Sequence, residues 1–171
     1  GSSPKTVMTD STKHHKYKAV KTDAAKLNEY IETVLQIEGV ACKDWLTNKV
    51  DRSVTGKIAR QQCQGEIQLP LSDCGVVALD YTGNSGIATS IGHAPQAGLI
   101  DPAAGSVLSI TEGLTNIVGA NLDGGLKAVS LSANWMWPCR NEGEDAGLYR
   151  AVKACSDFAC SLGINIPTGK D

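Results

Sequence analysis

An α+β layer fold is what this chain predicts, and three observations carry the prediction. A nearly unbroken apolar run at residues 74–79 has strand length, and Gly83-Asn84-Ser85-Gly86 separates it from a second strand-like run at 87–91, as in an antiparallel hairpin. Asp101-Pro102 opens a long stretch of helical periodicity. A further strand-like run at 126–132 and an amphipathic stretch from Ala146 follow, so the order is hairpin, helix, strand, helix and not a repeating βαβ array.

Taken in order, the chain begins with an irregular polar leader that reaches residue 21. Thr22 or Asp23 can cap a helix running to Ile37, with Leu27, Tyr30, Ile31, Val34 and Leu35 at helical spacing and Gly39 just beyond its end. Residues 43–50 suit a second short helix that passes into the polar, Gly-containing loop beginning at Asp51. The apolar run at 74–79 reads as a strand buried on both faces, with Asp73 at its mouth. A carboxylate there can face a ligand while the strand behind it is held in the core.

Asp101 can accept hydrogen bonds from the free amides of the next helix, and Pro102 lacks an N–H that would be orphaned there anyway. That helix is expected to continue to Leu122. Asp123-Gly124-Gly125 then turns the chain into the run at 126–132, and residues 134–143 form a Trp-rich loop. Gly143-Glu144-Asp145 opens the last helix, which is expected to end at Leu162 and to keep Leu148, Val152, Cys155 and Ala159 on one apolar face.

At 171 residues the chain is long enough for one domain with a real core, and a formal net charge of −2 argues against nucleic-acid binding as its main role. Lys5, Lys13, Lys16, Lys18, Lys21 and Lys26 make the first segment locally basic. A solvated leader is the simpler reading of them, and a phosphate- or RNA-binding patch the sharper one. No apolar run reaches the length of a membrane span and no secretory signal opens the chain, so a cytoplasmic location without membrane contact is expected. Cys42, Cys63, Cys74, Cys139, Cys155 and Cys160 show no C-x-x-C spacing and no nearby histidine, which suits reduced, mostly packed thiols. Gly1-Ser2-Ser3 reads as the scar of a removed tag, and the close at Gly169-Lys170-Asp171 as the interior of something larger.

The long central helix carries the most informative constellation. At about 100° per residue, Val107, Ile110, Leu114, Ile117 and Val118 share a core face, and Glu112 and Asn116 lie together on the other side. A solvated surface is the bland reading of such a pair. Its neighbours Gly105, Ser109, Gly119 and Ala120 are small, where a solvated helix would carry long polar side chains, so something is expected to approach this face closely. Carboxylate and amide oxygens are hard ligands, so an oxygen-lined magnesium–phosphate site and close helix packing stand as rival explanations.

Cys63 in the polar loop and His93 after Gly92 could be imagined as a nucleophile and base, but no third, orienting group is evident. His14 and His15 belong to the leader. Trp135 and Trp137 could stack on a base, although a Trp pair following a strand is more often a wall of the core or an interface.

Several separated motifs, DRSVTGKIARQQCQG, LPLSDCGVVALDY, TEGLTNI, SLSANWMW, GEDAGLYRAVKA and LGINIPTGKD, resemble in order and spacing the large fused phosphoribosylformylglycinamidine synthase family, glutamine-using ligases of purine biosynthesis. The resemblance covers the chain from Lys5 onward. It implies an aminoimidazole ribonucleotide synthetase-like amino domain, belonging to the second of two related synthetase halves, with a mixed or antiparallel sheet and helices on one face. The implied division is a tag scar and basic leader at 1–21, the amino domain at 22–166, and the truncated start of a following domain at 167–171.

The same resemblance implies an auxiliary nucleotide, ATP or ADP, held with Mg2+. Its ligands fall by motif on Asp73 of L-S-D-C and on Glu112 and Asn116 of E-G-L-T-N, with Lys43 of C-K-D-W-L against the phosphates. No catalytic residue is implied within the chain, because the family's S-E-H-C-R-H type motif and glutaminase cysteine are not in it. The intact enzyme would convert formylglycinamide ribonucleotide to the amidine with ATP and glutamine, and a non-catalytic, nucleotide-holding module is the alternative for this piece, which is expected to be inactive and to bind nucleotide weakly by itself. His93 departs from the acidic residue common in relatives and receives no role. The implied partners are the enzyme's remaining domains; by itself the chain is expected to form a homodimer through the apolar faces of the strands at 74–81 and 126–132.

Overall fold

A computed structural model of the chain describes residues 18–54, 56–70 and 72–170. Residues 1–17 of the basic leader lie outside the described residues. Those described fall into two compact units, one through Gly86 and one from Ile87 onward.

In the first unit Asp23 caps a short 3-10 turn, Ala24–Lys26, by accepting from the Ala25 amide at 3.0 Å, and α1 (Leu27–Leu35) continues from it. The periodicity read in the sequence does form a helix, yet none of its residues is buried, and Leu27 and Leu35 stay more than half exposed. The short helix expected next is α2 (Asp44–Thr47), which packs against β3. The loop from Asp51 holds three short strands that no periodicity announced: β1 (Ile58–Arg60), β2 (Cys63–Gln64) and β3 (Leu69–Pro70). β2 and β3 pair antiparallel across a four-residue turn, in which Gly65 and Gln68 take positive φ.

β4 (Cys74–Ala78) is the apolar run, and it pairs antiparallel with β1, Ile58 opposite Val77. The expectation that it is buried on both faces is not met. Cys74 is buried, Val76 and Ala78 are partly covered, and Gly75 and Val77 are exposed. A strand points successive side chains to opposite faces, so an apolar run with one covered face leaves every second residue bare. After β4 the chain turns as expected: Asp80 accepts from the Thr82 and Gly83 amides, and the Leu79 amide donates to the Ser85 carbonyl at 3.0 Å.

The second unit takes in β5 (Gly86–Ser90) from its second residue and then α3 (Pro95–Ile100), a helix the sequence reading missed. α4 (Pro102–Ile117) starts as predicted, with Asp101 Oδ1 accepting from Ala103 N at 2.9 Å. It ends five residues before the expected Leu122. Val118 is its C-cap and is 80% exposed, so it does not belong to the core face, whereas Ile110 and Ile117 are buried. Gly119 is a poor residue for continuing the helix, and the chain instead turns through an Ala120 N–H donated to the Ile117 carbonyl.

Gly124 and Gly125, both at positive φ, lead into a 3-10 turn, Gly125–Ala128, so the strand expected from Leu126 begins only at Ser130 as β6 (Ser130–Asn134). α5 (Glu144–Leu162) buries Gly147, Ala151, Cys155 and Ala159, a row at i+4 spacing, while Val152 of the expected face is 39% exposed. A ridge of such small residues lets another helix come close, and α4 is the helix packed there. Arg150 of α5 reaches Asp101 at 3.4 Å. The chain then forms β7 (Asn165–Lys170), parallel to β6, with α5 as the crossover that a parallel pair requires. The register slips between Ser130 and Ser132, opposite the stretch of β7 that contains Pro167, a residue with no N–H to give to a ladder. The α+β fold class stands.

Candidate functional site

Glu112 and Asn116 stand one turn apart on α4, and the segment leaving β5 is fastened beside them. Asn116 Nδ2 donates to the Ile91 carbonyl at 2.8 Å, and Ser90 Oγ donates to the Gly113 carbonyl at 2.7 Å. Between those bonds the backbone of Gly92 lies so close to α4 that a Cβ on it would overlap the Ser109 carbonyl and the Gly113 amide. A close approach to this face was expected, and of the small residues named for it only Ser109 is at the contact, beside Gly113; Gly119 and Ala120 lie beyond the end of the helix. Gly105 serves another neighbour, because a Cβ there would meet the Gly98 backbone of α3.

The fastened segment continues into His93, whose Nδ1 lies 3.7 Å from Glu112 Oε1, with the two side chains 77% and 41% exposed. Asn116 has its amide nitrogen committed to Ile91, which leaves its oxygen as the atom a cation could use. Glu112, Asn116 and His93 therefore make one small polar cluster. Among the described residues no three or more His, Cys, Asp or Glu side chains gather as a metal-binding group.

Asp73 and Lys43 belong to the other unit. Asp73 is exposed and immediately precedes β4, the position expected of it. Beside it Ser72 Oγ donates to the Cys74 carbonyl at 3.1 Å and lies 3.5 Å from Arg60 Nη2. Arg60 Nε is buried without a hydrogen-bond partner. Lys43 Nζ donates to the carbonyls of Glu38 and Ala41 at 2.6 and 2.9 Å, so its ammonium is held within its own loop.

The imagined nucleophile and base are each engaged locally. The Cys63 thiol is buried and donates to Asn48 Oδ1 at 3.3 Å, and the His93 ring faces Glu112. All six cysteines are free thiols, as expected, and burial pushes the Cys155 thiol above its ordinary value. The tryptophans form walls: Trp137 Nε1 donates to Glu144 at 2.8 Å and its ring covers Gly147, and Trp135 Nε1 lies 3.5 Å from Ser106 Oγ. Sequence reasoning gave His93 no role. The signal was there, a lone imidazole beside a glycine ahead of a carboxylate-bearing helix, but only the docking of Gly92 on α4 sets it against Glu112.

An α+β domain whose exposed carboxylate precedes a strand and whose long helix presents a Glu/Asn pair to a glycine-docked segment belongs to a recognisable class. Residues 42–171 match the FGAR-AT PurM_N-like domain, and the chain belongs to that family. It is similar to human phosphoribosylformylglycinamidine synthase, 43% identical over 145 residues, which is 85% of this chain and 11% of that protein.

Proposed function

We propose that the chain is one domain of a phosphoribosylformylglycinamidine synthase, a ligase of purine biosynthesis that converts formylglycinamide ribonucleotide to formylglycinamidine ribonucleotide with ATP and glutamine. The observation that carries this is the 43% identity with the human enzyme of that name across 85% of the chain. The resemblance assigns Asp73, Glu112 and Asn116 to Mg2+ and Lys43 to the phosphates of an auxiliary ATP or ADP. Their chemistry suits the assignment: carboxylate and amide oxygens are hard ligands, and the Asn116 nitrogen is occupied so that its oxygen remains.

The role of these residues is to hold, and none of them takes part in a chemical step. A specific observation favours this structural reading. The Glu112–Asn116 turn is already bonded to the end of β5, so an ion there would stiffen the joint between strand and helix. The remaining domains of the synthase are the proposed partners, in the cytoplasm, and the chain alone pairs with a second copy.

The test replaces Glu112 by Ala in the full-length synthase, with melting temperature and nucleotide released on denaturation as readouts. Both fall if an ion–nucleotide cluster is held there, since a ligand bound only to the folded state stabilises it. Unchanged melting with full nucleotide content overturns the site, and failure of the wild-type protein to form amidine from glutamine overturns the activity.

A further inference from the structure

The helix α1 has an apolar side that the described residues leave open. At about 100° per residue, Leu27, Tyr30, Ile31, Val34 and Leu35 fall on one side of it, and Glu29, Glu32 and Thr33 on the other. Its start is fixed locally, since the Asp23 carboxylate accepts from the Ala25 amide and the Asp23 amide donates to Tyr30 Oη at 3.2 Å. None of its nine residues is buried, and Leu27, Ile31, Val34 and Leu35 are each exposed by 59, 48, 48 and 54%. A helix shorter than about 12 residues is marginal in water and draws its stability from packing of its apolar side. The stripe therefore calls for a surface that lies beyond these residues.

Two facts bear on what that surface belongs to. The domain match begins at residue 42, so α1 stands ahead of the domain itself. The match to the human synthase takes in 145 residues of this chain against the 130 from 42 to 171, and the further 15 can lie only ahead of residue 42. The stretch that bears α1 is thus shared with a synthase of which this match is 11%, while standing outside the domain fold. Size then separates a second copy from a neighbour in the same polypeptide. Four side chains already half covered fall well short of the roughly 800 Å2 per partner of a stable dimer. A tethered neighbour needs no such area, because the linking chain holds the two at an effective concentration on the order of millimolar.

We infer that α1 is a docking helix, whose Leu27, Ile31, Val34 and Leu35 seat in an apolar groove on another domain of the same synthase polypeptide. These anchors at i, i+4, i+7 and i+8 are those of an amphipathic helix laid in a groove, and Glu29 and Glu32 stay in water on the far side. The contact fastens this domain to its neighbour. It rests on reading the chain as one domain of a synthase, and it does not require a nucleotide or a metal ion.

The test compares amide hydrogen exchange across residues 27–35 in the 171-residue chain and in the full-length synthase, read by mass spectrometry. Exchange is slower in the full-length protein by about a hundredfold or more. Ile31→Glu removes that protection, and Glu32→Lys, on the far side of the helix, keeps it. Should full-length Ile31→Glu fail to fold, a benzophenone side chain placed at Ile31 reads the neighbour by photo-crosslinking, and the expected product joins it to another domain of the same polypeptide. A crosslink to residues 42–170, a crosslink to a second copy, or none at all overturns the docking, as does equal exchange in the two proteins. A full-length protein that protects α1 but forms no amidine from glutamine removes the activity reading and leaves the docking standing. An active synthase with α1 unprotected removes the docking alone.

Discussion

The backbones of Gly92 and Gly113 touch, and the two glycines are not equivalent. A Cβ on Gly113 would sit 3.6 Å from the Gly92 nitrogen, an ordinary contact, whereas a Cβ on Gly92 would overlap the backbone of Ser109 and Gly113. Gly113→Ala should therefore be neutral or stabilise by up to about 1 kcal/mol, from the better helix propensity of alanine. Gly92→Ala should destabilise by about 2–3 kcal/mol through overpacking. Urea unfolding of both variants checks the pair, and equal effects would contradict the asymmetry.

Asp101 both caps α4 and meets Arg150 of α5. Asp101→Ala should cost about 1 kcal/mol, mostly from the lost cap. Asp101→Asn keeps a capping oxygen and loses only the charge pairing, so its cost should stay within a few tenths of a kcal/mol. Thermal unfolding that ranks Asn as damaging as Ala would show the ion pair to be the larger contribution.

Burial raises the Cys155 thiol, so the folded chain holds that proton more tightly than the unfolded chain does. The sign follows from linkage: this contribution is complete below the ordinary thiol value and is lost as pH rises from there through the folded value. Stability should fall more steeply above neutral pH in the wild type than in Cys155→Ala. Cys155 should also alkylate more slowly than the exposed Cys160. Identical pH slopes for the two proteins in urea titrations would remove the proposed origin.

The bare side of β4 presents Val77, with Leu79 just beyond it, and Leu126 is also exposed. Apolar side chains left open on a sheet invite pairing with a second copy. We expect light scattering at micromolar concentration to show a dimer, and Leu79→Lys to shift it to monomer. A wild-type monomer at tens of micromolar would end the idea.

What the sequence determined alone are the features whose physics is local. Asp101-Pro102 caps and starts α4 because an oxygen and a missing N–H act within three residues, and Gly124 and Gly125 adopt positive φ because they lack a Cβ. The spacing of Glu112 and Asn116 put them on one helix face for the same reason. The exposed position of Asp73 ahead of β4 was legible too.

Only the tertiary structure decided what depends on a distant partner. β1, β2 and β3 are two or three residues long, too short for periodicity to register, and exist through pairing with each other or with β4. Which side of β4 is covered, and which row of α5 is buried, follow from what packs there; alternation and spacing say only that faces exist. His93 became significant through the contact of Gly92 with α4, since Glu112 lies 19 positions further along the chain and no local rule spans that distance. Its position is set by backbone packing against backbone, an interaction that leaves glycines in a sequence without saying what they will touch.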